Sequence, residues 1–300
     1  MKKLKKLVSM GFLIDEDAKE SINKLNEEEI DILVETLKKE NPLMISNKFI
    51  KNIFTKEIKI IRQFKTKKKM TIKDFVGFLN KKYNKLQEIL IEKLEIKNVV
   101  SINKCGSGSV SIIGMVKTIS DKGDIFEVFL EDPTGEIKTA IPKNFGCKIN
   151  LDDVIAVSGN MNNKILFVNR VVFPDVPLRP VNYSEGSMKV GYITKDKKIE
   201  VNYVIKKNQI KDNIKNKNYK IITPAFLEID GIKILLVGDS DPLNVLKKRY
   251  LKKDNTDFII DVIPDVVFVE KDVNRNYKGI TIVSPNNIID LKDREVNKIL

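Results

Sequence analysis

Val110-Ser111-Ile112-Ile113-Gly114-Met115-Val116-Lys117-Thr118 opens the stretch that decides the fold, and Phe173-Pro174-Asp175-Val176-Pro177 closes it. Between these two landmarks, short apolar runs alternate with turn chemistry. Val110–Thr118, Ile125–Leu130, Ile137–Ile141, Val154–Ser158 and Ile165–Val172 read as strands. Asp121-Lys122-Gly123-Asp124, Asp132-Pro133-Thr134-Gly135 and Gly159-Asn160-Met161-Asn162-Asn163 separate them with residues suited to tight turns.

Five short strands, the third following an acidic turn, predict an OB-type barrel near 106–174. A plain β-meander is the alternative that the pattern alone leaves open. Pro174, Pro177 and Pro180 make a stiff exit, which puts the barrel domain at 105–180. Phe126 and Phe129 cannot share one face of a regular strand, because their spacing is odd. Phe145 and Phe167 are expected to close the barrel core.

Toward the N-terminus, residues 1–58 read as a small domain of about four short helices. Leu4, Leu7 and Val8 share one face of the first, and Ile22 and Leu25 point inward from the second. A third starts near Asn26, buries Ile30, Leu33, Val34 and Leu37, and stops at Asn41-Pro42. Ser46 is placed to cap a fourth, containing Phe49, Ile50, Ile53 and Phe54. Residues 59–104 read as a basic linker and a connecting helix. Arg62, Lys65, Lys67, Lys68, Lys69 and Lys73 follow one another without an acidic residue, a pattern that suits either phosphate contact or a solvated linker. Thr71 is the expected helix cap. Phe75, Phe78, Leu79, Tyr83, Leu86, Ile89 and Leu90 then form one packing stripe.

Beyond the barrel, Ala225–Glu228 and Ile232–Val237 flank an Asp230-Gly231 hairpin signal. A helix is predicted over Pro242–Leu251, strands over Phe258–Val262, Val266–Val269 and Gly279–Val283, and a terminal helix over Leu291–Leu300. The tail reads as a partial α/β pattern with an exposed sheet edge.

The chain has 300 residues and a formal charge of +13, with 54 Lys and Arg against 41 Asp and Glu, and no histidine. Such an excess attracts nucleic acid or an acidic protein surface, although a lysine-rich composition is a competing explanation. Cys105 and Cys147 lie far apart without metal-ligand spacing, so reduced thiols and an intracellular setting are expected. The opening Met1-Lys2-Lys3-Leu4-Lys5-Lys6-Leu7-Val8 has the look of a signal start, but Asp15, Glu16 and Asp17 interrupt it at once. A cytoplasmic protein with no membrane partner and no cofactor is expected.

The chain resembles the small subunit of the archaeal family D DNA polymerase. Met10-Gly11-Phe12-Leu13-Ile14 with Asp17-Ala18 is similar to that family's N-terminal helical domain. Asp74-Phe75-Val76, Tyr83-Asn84-Lys85-Leu86 and Ile89-Leu90 are similar to its helix before the barrel. The landmarks Val110–Val116, Leu130–Gly135 and Phe173–Pro177 are similar to its OB-fold. Further on, Pro224–Leu236, Leu246–Leu251 and Ile263–Val266 resemble late segments of its calcineurin-like phosphoesterase domain. The resemblance therefore implies a multidomain α+β chain: helical domain, OB-fold, and a reduced phosphoesterase α/β remnant over 181–300.

Active members of that family hold two divalent metals through histidine-containing motifs and release nucleotides from DNA 3′ ends. This chain departs from those motifs. A family Tyr-His-Gly is replaced by Val237-Gly238-Asp239, and Gly-His-x-His by Glu270-Lys271-Asp272-Val273. Gly238, Asp239, Lys271 and Val273 thus mark degenerate metal positions, because a cationic lysine cannot replace an imidazole ligand. The implied function is a truncated, non-catalytic accessory or regulatory subunit: a protein-binding platform for the polymerase large subunit or a related replication protein. Leu130, Phe173, Val176, Leu178, Val266 and Phe268 mark the regions concerned. DNA contact by Arg62, Lys65, Lys67, Lys68 and Lys69 is a secondary expectation. Two alternatives stay open: a stand-alone single-stranded nucleic-acid binder, and a decoy that competes with a full-length small subunit.

Overall fold

Asn26 shows how locally the N-terminal helices are specified. Its side chain accepts a 2.8 Å hydrogen bond from the Glu29 amide, and the Glu29 carboxylate accepts one of 2.8 Å from the Asn26 amide. This reciprocal box starts a helix and satisfies two otherwise orphaned donors. In order, the region contains α1 (Lys2–Ser9), β1 (Leu13–Ile14), α2 (Glu16–Lys24), α3 (Glu27–Glu40), β2 (Met44–Ile45) and α4 (Asn47–Phe54). Asn41 ends α3 in the left-handed region, at φ 42°. Leu7, Ala18, Ile22, Leu33, Leu37 and Ile45 make the core of this bundle. Val8, expected inward, is 58% exposed, since one short helix offers a single inward stripe. β1 and β2 pair in parallel. Two-residue strands carry no readable period, so the sequence does not announce them.

The computed structural model describes residues 2–54, 58–65, 71–93, 98–145, 148–194, 199–206, 208–253 and 256–299. The chain divides into two units: Met1–Lys65 with Arg179–Ser240 and Pro264–Leu300, and Thr66–Leu178 with Asp241–Ile263. Ile58 and β3 (Lys59–Gln63) belong to the first unit. Ile58 and Ile60 pack into its core, which draws β3 alongside a later strand as a sheet edge.

The second unit begins with α5 (Ile72–Glu92), opened by a capping box between Thr71 and Asp74. Its barrel comprises β4 (Gly108–Asp121), β5 (Ile125–Asp132), β6 (Gly135–Pro142), β7 (Val154–Asn162) and β8 (Ile165–Val172). These close in the order β4-β5-β6-β8-β7, with β6 and β8 parallel and the remaining pairs antiparallel. Ile112, Val128, Leu130, Ile155, Val157 and Leu166 fill the interior as period-two alternation requires. At Gly159 the register of β7 and β8 shifts, and a Cβ there would lie 2.0 Å from the Phe167 carbonyl oxygen. Only glycine allows the two backbones so close.

The remainder contains β9 (Lys189–Tyr192), β10 (Tyr203–Lys206), β11 (Gln209–Asp212), β12 (Lys217–Lys220), β13 (Ala225–Ile229) and β14 (Ile232–Gly238). Next come α6 (Pro242–Lys248), β15 (Tyr250–Lys253) and β16 (Thr256–Ile259), which group with the barrel. The chain then continues as β17 (Val266–Val269), β18 (Arg275–Tyr277), β19 (Ile280–Val283), β20 (Asn287–Asp290) and β21 (Val296–Lys298). Two six-stranded sheets result, ordered β12-β11-β10-β9-β20-β21 and β18-β19-β17-β14-β13-β3. Their shared core holds Tyr192, Tyr203, Ile205, Leu227, Ile234, Leu236 and Phe268. The Tyr192 and Phe268 rings meet edge-on at 5.3 Å.

Two expectations are corrected here. The α/β remnant is instead a pair of sheets: among the described residues after 180, α6 is the one helix, and it groups with the barrel's unit. The parallel strands β14 and β17 are joined through 239–265, which holds α6, β15 and β16, while the parallel pair β17 and β19 is joined through the strand β18. Among the described residues, 291–299 form no helix; β21 pairs with β20, Ile289 opposite Val296. Helix propensity in this polar segment is weak, and sheet pairing overrides it. The sheet edges are also short and cationic, with Lys217 and Lys220 on β12 and Arg275 on β18. That arrangement discourages unwanted strand addition.

Candidate functional site

On the barrel, directly opposed residues of neighbouring strands share a face, and that rule builds the outer surface of β5, β6 and β8. Glu131 faces Glu136, Phe129 faces Lys138, and Lys138 in turn lies beside Ile165. Glu127 faces Ala140, which lies beside Phe167. Lys117 bridges Glu136 at 2.5 Å and Glu131 at 3.7 Å, while Lys138 pairs with Glu127 at 2.7 Å. The Lys138 hydrogen bond holds the Glu127 carboxyl below its ordinary pKa, and the bond to Glu136 raises that of Lys117. Three carboxylates, two ammonium groups and two phenyl rings therefore occupy one surface. A groove for single-stranded nucleic acid needs net positive charge along its floor, which this surface of balanced charges does not supply.

Phe167 was expected to close the core and does not. Leu166 and Val168 fill the interior, leaving Phe167 turned outward and 51% exposed. The alternation Leu166-Phe167-Val168 carried that signal. Phe126 and Phe145 pack against the barrel core, as does Phe173 at the exit. Among the other regional markers, Leu130, Val176, Val266 and Phe268 are buried, while Leu178 is exposed.

A buried polar cluster fastens Asp241–Ile263 to the barrel and to α5. The Lys82 ammonium contacts the Asp257 carboxylate at 2.5 Å and lies 3.4 Å from the centroid of the Tyr250 ring. Tyr250 donates to Asp153 at 2.6 Å, and Lys248 donates to the other oxygen of the same carboxylate at 2.7 Å. Burial lowers the pKa of Lys82 and outweighs the attraction of Asp257; burial beside Asp153 raises that of the Tyr250 phenol. The sequence offered no sign of this cluster, because Lys82 stands beside the exposed Lys81 and its partner lies 175 residues away.

The basic segment is dispersed. Arg62 lies on β3 with its guanidinium 5.8 Å from the Phe226 ring centroid, in the same sheet as its neighbour strand β13. Lys65 is exposed, and Lys67, Lys68 and Lys69 lie outside the described residues. Gly238, Asp239, Lys271 and Val273 lie at or just beyond the ends of two strands. β14 and β17 are parallel neighbours, so Gly238 and Asp239 sit at the same strand end as Lys271 and Val273. The Glu270 amide donates to the Gly238 carbonyl at 2.7 Å. Asp272 is drawn sideways, accepting from the Ser284 hydroxyl at 3.3 Å. Among the described residues, no three His, Cys, Asp or Glu side chains are grouped to hold a metal ion, and no helix is long and apolar enough to cross a membrane.

The fold defines a protein that contains an N-terminal helical region and a closed five-stranded OB-like barrel. No protein-family model matches the chain. The DNA polymerase II small subunit of Archaeoglobus fulgidus is 36% identical over 110 residues, covering 36% of this chain and 22% of that protein. Its namesake in Pyrococcus abyssi is 38% identical over 119 residues, covering 36% and 19%. The small subunit of Thermoplasma acidophilum is 24% identical over 246 residues, covering 75% of this chain and 49% of that one. The chain is thus homologous, at the level of the family, to archaeal DNA polymerase II small subunits. It aligns to between 19% and 49% of the length of these relatives.

Proposed function

We propose that this chain is a non-catalytic accessory subunit of an archaeal family D DNA polymerase, a folded platform that docks a polymerase large subunit. The observation that carries this reading is the homology to DNA polymerase II small subunits, which extends over 75% of the chain in the Thermoplasma acidophilum protein. In this reading, the two-sheet body is the counterpart of the late part of a phosphoesterase-like domain. The strand ends that carry Gly238, Asp239, Lys271 and Val273 no longer offer imidazole ligands, and the sequence contains no histidine to replace them. Two-metal hydrolysis depends on ligands that hold both ions and activate water, so 3′–5′ exonuclease activity is absent in this reading.

Docking falls to folded surfaces, with the lysines before α5 supplying a salt-sensitive attraction to DNA. The mixed-charge outer face of the barrel favours this over stand-alone binding of single strands. Copurification of the full chain with the polymerase large subunit of the same organism tests the proposal. A stoichiometric complex that survives moderate salt is expected. Recovery without any replication protein at low and moderate salt would sink it, and tight, salt-sensitive binding of single-stranded DNA by the chain alone would favour the alternative.

A further inference from the structure

One margin of the sheet β12-β11-β10-β9-β20-β21 carries an unbalanced charge. From Lys206 to Lys220, the end of β10 with β11 and β12, the sequence holds six lysines, four asparagines, one glutamine and a single acidic residue, Asp212. That carboxylate is fully buried and accepts from the Ile214 and Lys215 amides at 2.9 and 3.0 Å, so it neutralises nothing at the surface.

Strand register decides which of these side chains share a face. Ile205, Ile210 and Tyr219 stand opposite one another and pack into the core. Their neighbours therefore turn outward: Lys206 opposite Gln209, Gln209 opposite Lys220 and, in the next row, Lys211 opposite Asn218. Gln209, Lys211, Asn218 and Lys220 are exposed, and Lys206 is half-buried. Further in, Ile199 lies over Gly191 of β9 and leaves no room for a Cβ, and the adjoining Val204 is buried. The open part of the face is this margin.

Three simpler roles do not account for it. Charges that guard a sheet edge belong on the edge strand β12, whereas Lys206 and Lys211 lie on β10 and β11. A protein interface is built on an apolar centre, and the outward side chains here are lysines and amides. A platform for single strands stacks bases on aromatic rings, but Tyr203 and Tyr219 face the core. Lysine interleaved with asparagine and glutamine is the chemistry that contacts phosphate oxygens without reading base sequence.

We propose that the outer face of β10, β11 and β12 is a sequence-independent contact for the phosphate backbone of double-stranded DNA, made by Lys206, Lys211 and Lys220 with Gln209 and Asn218. The choice of DNA over RNA rests on the function proposed above. The contact belongs to a different segment from the lysines before α5.

The test uses the full chain alone. A fluorescent DNA duplex of about 25 base pairs is titrated at several salt concentrations between about 50 and 200 mM, and the logarithm of the association constant is plotted against that of the salt concentration. Each phosphate contact contributes about 0.9 to the slope, so Lys211→Gln with Lys220→Gln should reduce its magnitude by about 2. Both positions are exposed, so circular dichroism and Tm should match the wild type. Lys211→Arg with Lys220→Arg keeps the charges and should keep the slope. Lys5→Gln with Lys38→Gln removes two exposed lysines from α1 and α3 and should leave the slope largely unchanged. An unchanged slope in the Lys211, Lys220 glutamine variant, or an equal loss in the Lys5, Lys38 variant, overturns the inference. So does a single strand of the same length bound more tightly than the duplex. A glutamine variant that keeps its slope but loses the large-subunit complex gives the face to an acidic protein surface, and also overturns it. Copurification decides the platform reading separately: the wild-type complex can fail while the slope change holds, or form while the slope does not change.

Discussion

Replacing Lys82 by alanine probes the fastening of Asp241–Ile263 most directly. The lysine is fully buried, and its ammonium is the ion partner of a nearly buried Asp257. Removing it leaves that carboxylate uncompensated, an effect of about 3–5 kcal/mol. The lost contact with the Tyr250 ring, 3.4 Å from the ammonium, adds roughly 1–2 kcal/mol. Against a typical stability of about 5–15 kcal/mol, this unit should become marginal. The double variant Lys82→Met, Asp257→Leu removes both charges at similar volume and should recover most of the loss. Urea denaturation followed by far-UV circular dichroism measures the stability, and hydrogen exchange of peptides from 241–263 locates the change.

The pH dependence of the same pair has a defined sign. Burial lowers the folded-state pKa of Lys82, so the folded chain releases that proton before the unfolded chain does. Between the two pKa values the unfolded state binds more protons, and stability rises with pH across that window. Asp257→Asn removes the opposing attraction and should extend the rise toward lower pH. Exposed lysines such as Lys85 and Lys117 have raised values of the opposite sign, so the difference between variant and wild type is the quantity to read. A loss below about 1 kcal/mol for Lys82→Ala, or a double variant no better than the single one, would refute the reasoning.

Three further outcomes are expected. Gly159→Ala should destabilise by at least about 1–3 kcal/mol, because its Cβ meets the Phe167 backbone at 2.0 Å; Gly77→Ala, with nothing within 4 Å in an exposed helix, should stabilise by roughly 0.5–1 kcal/mol, both read by thermal melts. Serine at Lys65, Lys67, Lys68 and Lys69 should weaken DNA association at low salt yet leave the large-subunit complex largely intact in a gel-filtration assay. No manganese-dependent release of nucleotides from a DNA 3′ end should accompany the pure chain; turnover that disappears with Asp239→Asn or Asp272→Asn would overturn this.

The sequence by itself determined the elements whose information is local. Asn26 with Glu29 and Thr71 with Asp74 cap helices through neighbours three residues away, so the residues alone announce them. Short apolar runs between turn residues likewise announced all five barrel strands. The absence of histidine, legible at a glance, bears directly on the chemistry expected at the ends of β14 and β17.

Tertiary structure alone decided whatever depends on partners distant in the chain. Lys82 is buried by Asp257 and Tyr250, while the adjacent Lys81 is solvated, and no local pattern separates the two. The surface that joins Phe129 to Phe167 exists because β6 and β8 run parallel, a register set by barrel closure. Lys59–Gln63 is a strand because β13 offers it an edge, and 296–298 because β20 does. In each case the local preference is worth a few tenths of a kcal/mol per residue, and non-local pairing and burial, which exceed it, set the outcome.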